Sequence, residues 1–102
     1  MKEIQASELA QKLNEGEHLN IIDVREDDEV ATGIIPGAKH IRLSEVPDRL
    51  NELDEKEHYY MVCRSGGRSG KATEYLEAKG YNVTNMAGGM LAWEDDMDFP
   101  NK

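Results

Sequence analysis

The residue types that could carry chemistry lie together in one stretch, "MVCRSGGRSG", from Met61 to Gly70. Cys63, the one cysteine among 102 residues, ends an apolar run there. It is followed directly by Arg64, Ser65, Gly66, Gly67, Arg68 and Ser69. A structural cysteine usually has apolar neighbours, whereas these neighbours expose backbone and bring positive charge. We therefore interpret Cys63 as a candidate nucleophile, in preference to a buried cysteine before a simple glycine turn.

The loop after Cys63 has the composition of an anion cradle. Gly66 and Gly67 permit backbone conformations that other residues avoid, and they leave room for a close approach. A tight loop that leads into a helix turns several N–H groups inward, and the helix dipole adds positive potential. A thiol at its centre is expected to have a pKa below the ordinary value of about 8.5. Arg64 and Arg68 offer forked guanidinium groups to an oxyanion, and Ser65 and Ser69 offer hydroxyl donors, with Ser69 also a possible helix cap.

Composition narrows the class of protein. The length suits one domain, residues 1–102, with a polar and loose tail expected from about residue 96 unless Phe99 docks. A formal net charge of -9 argues against nucleic-acid binding, so Arg64 and Arg68 form a local basic island. No stretch predicts a membrane span or a signal peptide, and we expect a soluble, cytoplasmic monomer. A single cysteine leaves no internal disulfide and no resolving thiol. Three scattered histidines suggest no metal site.

Strand-like and helix-like segments alternate along the chain. A short continuous apolar run predicts a buried strand at Leu19 to Val24, and further strand candidates are Ala38 to Leu43, His58 to Cys63 and Tyr81 to Met86. Helices are predicted from Ser7 to Leu13 with Gly16 as the stop, from Ser44 to Leu53 with Ser44 as the cap, and from Ser69 to Lys79 with Gly80 as the stop. Short helices are predicted after Arg25 and around Trp93. The alternation predicts an α/β domain with a mostly parallel sheet, in which ligands bind beyond the carboxyl ends of the strands.

Four segments, in order along nearly the whole chain, resemble the rhodanese-like sulfurtransferases. "IIDVRE" (Ile21 to Glu26) is similar to the family's Asp-Arg turn, and "GIIPGAKHI" (Gly33 to Ile41) to its G-H-I-P-G-A segment, with Ile34 in place of the frequent histidine. "VCRSGGRS" (Val62 to Ser69) resembles the active-site loop, and "GYNVTNMAGGMLAW" (Gly80 to Trp93) the closing strand, Gly-Gly turn and helix. The resemblance implies a rhodanese fold: a central, mostly parallel five-stranded sheet flanked by helices on both faces.

The resemblance also implies a persulfide mechanism without a metal or an organic cofactor. The Cys63 thiolate would take a sulfur from a small donor such as thiosulfate, or from a persulfide-bearing protein. A thiol, or cyanide in an assay, would then accept it. We expect Asp23 and Arg25 to support strand, turn and loop through an ion pair or hydrogen bonds. Gly88 and Gly89 are expected to form a turn near the rim of the site, and the acidic run from Arg25 to Glu29 a solvated helix face.

Two alternatives to a sulfurtransferase stay open. A phosphatase or arsenate reductase of the related fold would have a Cys-x5-Arg loop, whereas Cys63 and Arg68 are spaced Cys-x4-Arg. The smaller bowl suits a sulfur atom better than a phosphoryl group, and no obvious acidic partner stands out. A sulfur carrier or a regulatory binding module with little turnover is the second alternative. The presence of Cys63 with both arginines favours an enzyme or a carrier.

Overall fold

A computed structural model describes residues 1–100 of the chain. Five strands form one sheet in the order β1-β5-β4-β2-β3, and all their pairings are parallel. The strands are β1 (Lys2–Gln5), β2 (Asn20–Asp23), β3 (Lys39–His40), β4 (His58–Val62) and β5 (Asn82–Ala87). The helices are α1 (Ala6–Asn14), α2 (Asp27–Val30) and α3 (Gly67–Ala78), with 3-10 helices at Leu43–Glu52 and Gly89–Ala92. The expected α/β class and five-stranded sheet are confirmed.

The central strand β4 shows why helices cover both faces of the sheet. Its residues alternate between two apolar clusters because successive strand side chains point to opposite faces. Tyr59, Met61 and, just beyond the strand, Cys63 join the cluster that holds the α3 residues Ala72 and Leu76. Tyr60 and Val62 join the cluster that contains Leu9 of α1 and Trp93. Cys63 therefore lies at the carboxyl end of the central strand, on the α3 side of the sheet.

The amino-terminal strand β1 is the one strand that the apolar pattern did not locate. Its burial alternates weakly, with only Ile4 buried, because it lies at the edge of the sheet and pairs with β5 alone. Such a short edge strand carries one apolar residue and has no buried run to reveal it. The stops at Gly16 and Gly80 are confirmed, since both glycines have positive φ and follow the last turn of their helices.

Two predicted helix caps are wrong. Ser7 lies inside α1, whose N-cap is Gln5 in an extended conformation. Ser44 lies inside the Leu43–Glu52 segment, whose N-cap is Arg42. The Glu45 carboxylate accepts hydrogen bonds from Arg42. That segment is a kinked 3-10 helix rather than an α-helix. The physical reason is Pro47, which has no N–H for the α-helical ladder and whose ring crowds the preceding turn.

The expectation of a loose tail is wrong for residues 96 to 98. Ile34 and Asp98 form an antiparallel bridge with both backbone hydrogen bonds, at 2.8 and 2.7 Å. The Trp93 indole donates to the Asp96 carbonyl at 3.0 Å. The Met97 side chain packs so closely on Gly33 that an added Cβ there would lie 2.7 Å from its sulfur. These contacts bring the tail beside the segment that follows α2, close to the carboxyl edge of the sheet.

Candidate active site

Cys63 is held at the base of a tight loop between β4 and α3. The residue is 1% exposed, and the chain leaves the strand at Val62 and enters α3 at Gly67. Gly66 has a φ of 103°, in the left-handed region. Any residue with a side chain would be destabilised in this conformation. The turn directs the Gly66 N–H at the Cys63 sulfur, with N and Sγ 3.0 Å apart. The glycine is therefore required for the geometry of the loop.

Ser69 faces the same sulfur but does not cap the helix as predicted. The N-cap position is Gly66, which places Ser69 within the first turn of α3, completely buried. Its hydroxyl lies 3.3 Å from the Cys63 sulfur and 2.6 Å from the side-chain oxygen of Asn85. A hydroxyl has one proton, so it donates to only one of these acceptors at a time.

Asn85 on β5 is a site residue that the sequence analysis missed. It is buried, and its side-chain amide donates to the Gly66 carbonyl at 3.1 Å while its oxygen accepts from Ser69. Asn85 thus ties the end of the loop and the first turn of α3 to β5. Polar Asn82, Thr84 and Asn85 are interspersed with apolar residues in "YNVTNM", so no local signal set Asn85 apart from the other two.

The hydrogen bonds of the loop decide the acidity of the thiol. Burial raises the pKa of Cys63, because it disfavours the charged form. The Ser69 hydroxyl and the N–H groups of Ser69, Gly66 and Ser65 act in the opposite direction and outweigh it. The net effect is a pKa below the ordinary value for cysteine. The site is therefore built to hold a sulfur anion without a neighbouring histidine.

The two arginines of the loop differ in a way that their sequence positions did not show. Both terminal nitrogens of Arg68 donate to the two carboxylate oxygens of Glu29, each at 2.7 Å. Arg64 is exposed, and within residues 1–100 its guanidinium has no ion pair or hydrogen bond. The expectation that the acidic run is a solvated face holds for residues 26 to 28, which are exposed. It is wrong for Glu29, which binds the loop, and for Arg25, which is buried.

Asp23 and Arg25 form a buried ion pair beside the loop. The guanidinium donates to both Asp23 oxygens, with the shortest distance 2.8 Å, and to the Gly33 carbonyl at 2.7 Å. A further bond reaches the Glu29 carbonyl at 3.3 Å. Since Asp23 ends β2 next to Val62 of β4, the pair joins the sheet edge to α2 and the turn after it. Neither side chain approaches the sulfur through a contact that the structure records.

The turn at Gly88 and Gly89 braces the loop from the opposite side. The Met90 N–H donates to the Cys63 carbonyl at 2.9 Å, and the Leu91 N–H to the Arg64 carbonyl at 3.0 Å. A Cβ on Gly89 would lie 2.4 Å from the Arg64 carbonyl oxygen, which is closer than atoms can approach. The expectation of a turn near the rim is confirmed, and its glycines allow a direct backbone contact.

A pocket of about 430 Å³ opens beside the loop. Arg64 lies on its wall, together with apolar side chains of Met90, Leu91, Trp93 and Met97 and the acidic Asp28 and Glu29. A larger pocket, of about 590 Å³, lies between α1 and residues 92 to 95 and has none of the loop residues in its wall. Of the loop residues Arg64 alone lines the smaller pocket, which therefore adjoins the loop without reaching the buried Cys63.

Residues 1–100 contain no group of three or more histidine, cysteine or acidic side chains arranged to hold a metal ion. In the same part of the chain, no helix combines the length and the apolar character needed to cross a membrane.

The fold and the loop together define a class of protein: α/β domains that hold a cysteine thiolate at the carboxyl end of the central strand. The family model for the rhodanese-like domain matches residues 5–96. The chain therefore belongs to the rhodanese-like family.

Known relatives and a solved structure agree with this membership. The chain is similar to YtwF of Bacillus subtilis, with 45% identity over 94% of this chain and 93% of that protein. It is also similar to the thiosulfate sulfurtransferase GlpE of Pseudomonas putida, with 31% identity over 84% of this chain and 79% of GlpE. The crystal structure of a rhodanese-like domain protein from Staphylococcus aureus has a TM-score of 0.92 and 47% identity, and covers 97% of this chain and 98% of its own. These relatives place the protein with the rhodanese-type sulfurtransferases.

Proposed function

We propose that this protein transfers sulfane sulfur from thiosulfate or a persulfide to a thiophilic acceptor through a persulfide on Cys63. The observation that carries the proposal is the environment of the thiol. Cys63 Sγ faces the Gly66 N–H at 3.0 Å and the Ser69 hydroxyl at 3.3 Å, in a loop that lowers the pKa of its thiol. A ring of donors of this kind stabilises a negatively charged sulfur. The family membership and the name of the GlpE relative support the same reaction class.

The first half of the proposed reaction loads the cysteine. The Cys63 thiolate attacks the outer sulfur of thiosulfate, and an S–S bond forms as the S–S bond of the donor breaks. Sulfite leaves with the electron pair, and the negative charge that remains on the enzyme lies on the outer sulfur of the persulfide. The loop N–H groups are placed to stabilise both the thiolate and the persulfide. Exposed Arg64 at the wall of the adjacent pocket supplies positive charge for the anionic donor.

The second half regenerates the thiolate. An acceptor nucleophile, cyanide in an assay or a thiol, attacks the outer sulfur, and the Cys63 sulfur leaves as the thiolate. Donor departure before acceptor attack makes this a ping-pong reaction. The loop supplies electrostatic stabilisation in both halves, so the proposed scheme uses no separate general base and no cofactor.

Intact-protein mass after brief incubation with thiosulfate tests the proposal. We expect a gain of about 32 Da, one sulfur atom, that maps to Cys63 and disappears on addition of cyanide. Cys63→Ala is the control, with an unchanged thermal unfolding midpoint and no gain of mass. A stable gain in that variant would contradict the assignment of Cys63, and hydrolysis of a phosphate ester that depends on Cys63 would favour the phosphatase reaction.

A sulfur carrier loaded by a protein persulfide is the second candidate. The observation in its favour is the apolar wall of the pocket beside Arg64, where Leu91 is 64% exposed and Met97 is 39% exposed. Such side chains would suit contact with another polypeptide. Loading of Cys63 by a persulfidated protein, together with no loading by thiosulfate, would favour the carrier over the turnover enzyme.

A further inference from the structure

The contact between Glu29 and Arg68 joins α2 to the first turn of α3, which directly follows the active-site loop. Two parallel N–H···O bonds of 2.7 Å connect a guanidinium to a carboxylate in the bidentate arrangement that gives such pairs their geometric specificity. Both side chains are partly shielded, with 35% of Arg68 and 23% of Glu29 exposed. This pair is therefore better defined than an ordinary surface ion pair.

Hydrogen bonds from residues nearby in the chain hold both the carboxylate and the backbone carbonyl of Glu29. The Glu26 N–H donates to the same carboxylate oxygen, Oε1, at 3.0 Å. The Glu29 carbonyl accepts from the Thr32 hydroxyl at 2.6 Å and from the buried Arg25 at 3.3 Å. Because α2 is one turn long, these bonds and the buried Asp23–Arg25 pair fix where the carboxylate points.

The charges of the pair and of the thiolate act on one another. Arg68, chiefly through its hydrogen bonds, lowers the pKa of Glu29 to about 2, although burial opposes the shift. The bond to Glu29 raises the pKa of Arg68, and the negative charges of Cys63 and Glu26 raise it further. Arg25 is the remaining charged group that acts on Glu29. Arg68 is thus bonded to the Glu29 carboxylate and also interacts electrostatically with the Cys63 thiolate.

We propose that Glu29 is a positioning residue that determines how strongly the site prefers anionic molecules. It holds Arg68 beside the loop and offsets the charge of that guanidinium. Arg64 is then the guanidinium whose charge is left for an anionic donor. The proposal deepens the proposed function and rests on it for the identity of the donor. It concerns a residue outside the active-site loop, whose effect on the reacting sulfur is exerted through Arg68.

Removal of the Glu29 charge should make the site more attractive to anions. In Glu29→Gln the side-chain oxygen can still accept one bond from Arg68, while the opposing charge is gone. One charge acting across about 8 Å of water-like dielectric changes the binding of a monoanion about twofold and that of a dianion about fivefold. We therefore expect the KM for thiosulfate to fall about fivefold in the variant.

Alkylation of Cys63 tests the electrostatic claim without any sulfur transfer. The rate with iodoacetate, an anion, is divided by the rate with neutral iodoacetamide at one pH, so that changes in thiolate fraction cancel. We expect this ratio to rise about twofold in Glu29→Gln. Asp28→Asn is the matched control, because it removes one negative charge from the residue that precedes Glu29. Asp28 lines the same pocket but has no bond to Arg68. The ratio in this variant should change less.

A second pair of variants keeps the test decisive if Glu29→Gln is poorly folded. Arg68→Gln leaves Glu29 uncompensated, so the ratio should fall about twofold. The double variant Glu29→Gln, Arg68→Gln removes a neutral pair and should restore the wild-type ratio. Equal ratios in Glu29→Gln and Asp28→Asn, or an unchanged ratio in both Glu29→Gln and Arg68→Gln, would overturn the proposal. If thiosulfate fails to react with any variant, the proposed donor is wrong, and the alkylation ratio still decides the role of Glu29.

Discussion

Replacement of Ser69 by alanine removes the one side-chain hydroxyl that faces the Cys63 sulfur. The hydroxyl lies 3.3 Å from Sγ, and its donation is the leading cause that lowers the pKa of the thiol against the effect of burial. A hydrogen bond to a charged group contributes about 1.5 kcal/mol at the low end of the usual range, and one pKa unit corresponds to about 1.4 kcal/mol. We therefore expect the pKa of Cys63 to rise in Ser69→Ala, and the ratio of thiolate to thiol at a given pH to fall about tenfold.

The sign of the effect follows from the active form of the thiol. Only the thiolate attacks a donor, so at a pH below the pKa the loss of this hydrogen bond should reduce the reactive fraction about tenfold. The rate of iodoacetamide alkylation against pH gives the midpoint directly, and the rate of sulfur transfer from thiosulfate should fall in parallel at neutral pH. When the thiol is protonated, the same hydroxyl donates to Asn85 Oδ1 at 2.6 Å instead, so below the pKa of Cys63 the variant also leaves a buried acceptor without a donor. That loss costs about 1–3 kcal/mol.

Ser65→Ala provides the matched control, since the same substitution is made in the same loop. Ser65 is exposed and lowers the pKa of Cys63 through its backbone N–H, which alanine retains. Its midpoint should stay close to that of the wild type. An unchanged midpoint in Ser69→Ala, or an equal shift in both variants, would refute the reasoning that the Ser69 hydroxyl stabilises the thiolate.

Three further outcomes are expected. Arg64→Ala should raise the KM for thiosulfate several-fold with little change in alkylation by iodoacetamide, because Arg64 acts on the charge of the donor; equal losses in both reactions would contradict this role. Gly89→Ala should lower the free energy of unfolding by about 2 kcal/mol or more in chemical denaturation, because its Cβ would lie 2.4 Å from the Arg64 carbonyl oxygen, whereas Gly67→Ala meets no atom within 4 Å and should be nearly neutral. Arg25→Met should destabilise the fold by about 3–5 kcal/mol, since it leaves the Asp23 carboxylate buried and unpaired, and a loss below about 1 kcal/mol would show that the pair is dispensable.

The local sequence accounts for most of the secondary structure. The strands β2, β4 and β5 are buried on both faces, and β2 and β4 appear in the sequence as mostly apolar stretches, whereas β5 buries the polar Thr84 and Asn85 among its apolar residues. The edge strand β1 has a single buried residue and gives no such stretch. Ser7 and Ser44 are good cap residues by type, but the N-cap positions of these helices are occupied by Gln5 and Arg42. Cap preferences are small free energies, and packing of the whole segment overrides them.

The tail shows the same limit of local reasoning. Residues 96 to 98 are polar or flexible by composition, which favours a loose end in isolation. Their order comes mainly from Gly33 and Ile34, which are distant in the sequence and close in the fold, with a local hydrogen bond from Trp93 to Asp96.

What the sequence by itself determined is the chemistry that the site can offer and the place of that chemistry in the fold. One cysteine at the end of a buried strand, with a glycine turn, donors and a helix start after it, is sufficient to predict an anionic sulfur in a cradle of N–H groups. Tertiary structure decided which neighbours act on it. Glu29 comes to Arg68 from 39 positions away and Asn85 to Ser69 from 16 positions away, and both contacts depend on the order of strands in the sheet. No local pattern specifies which of two nearby arginines meets a distant carboxylate, because only packing brings the charges together.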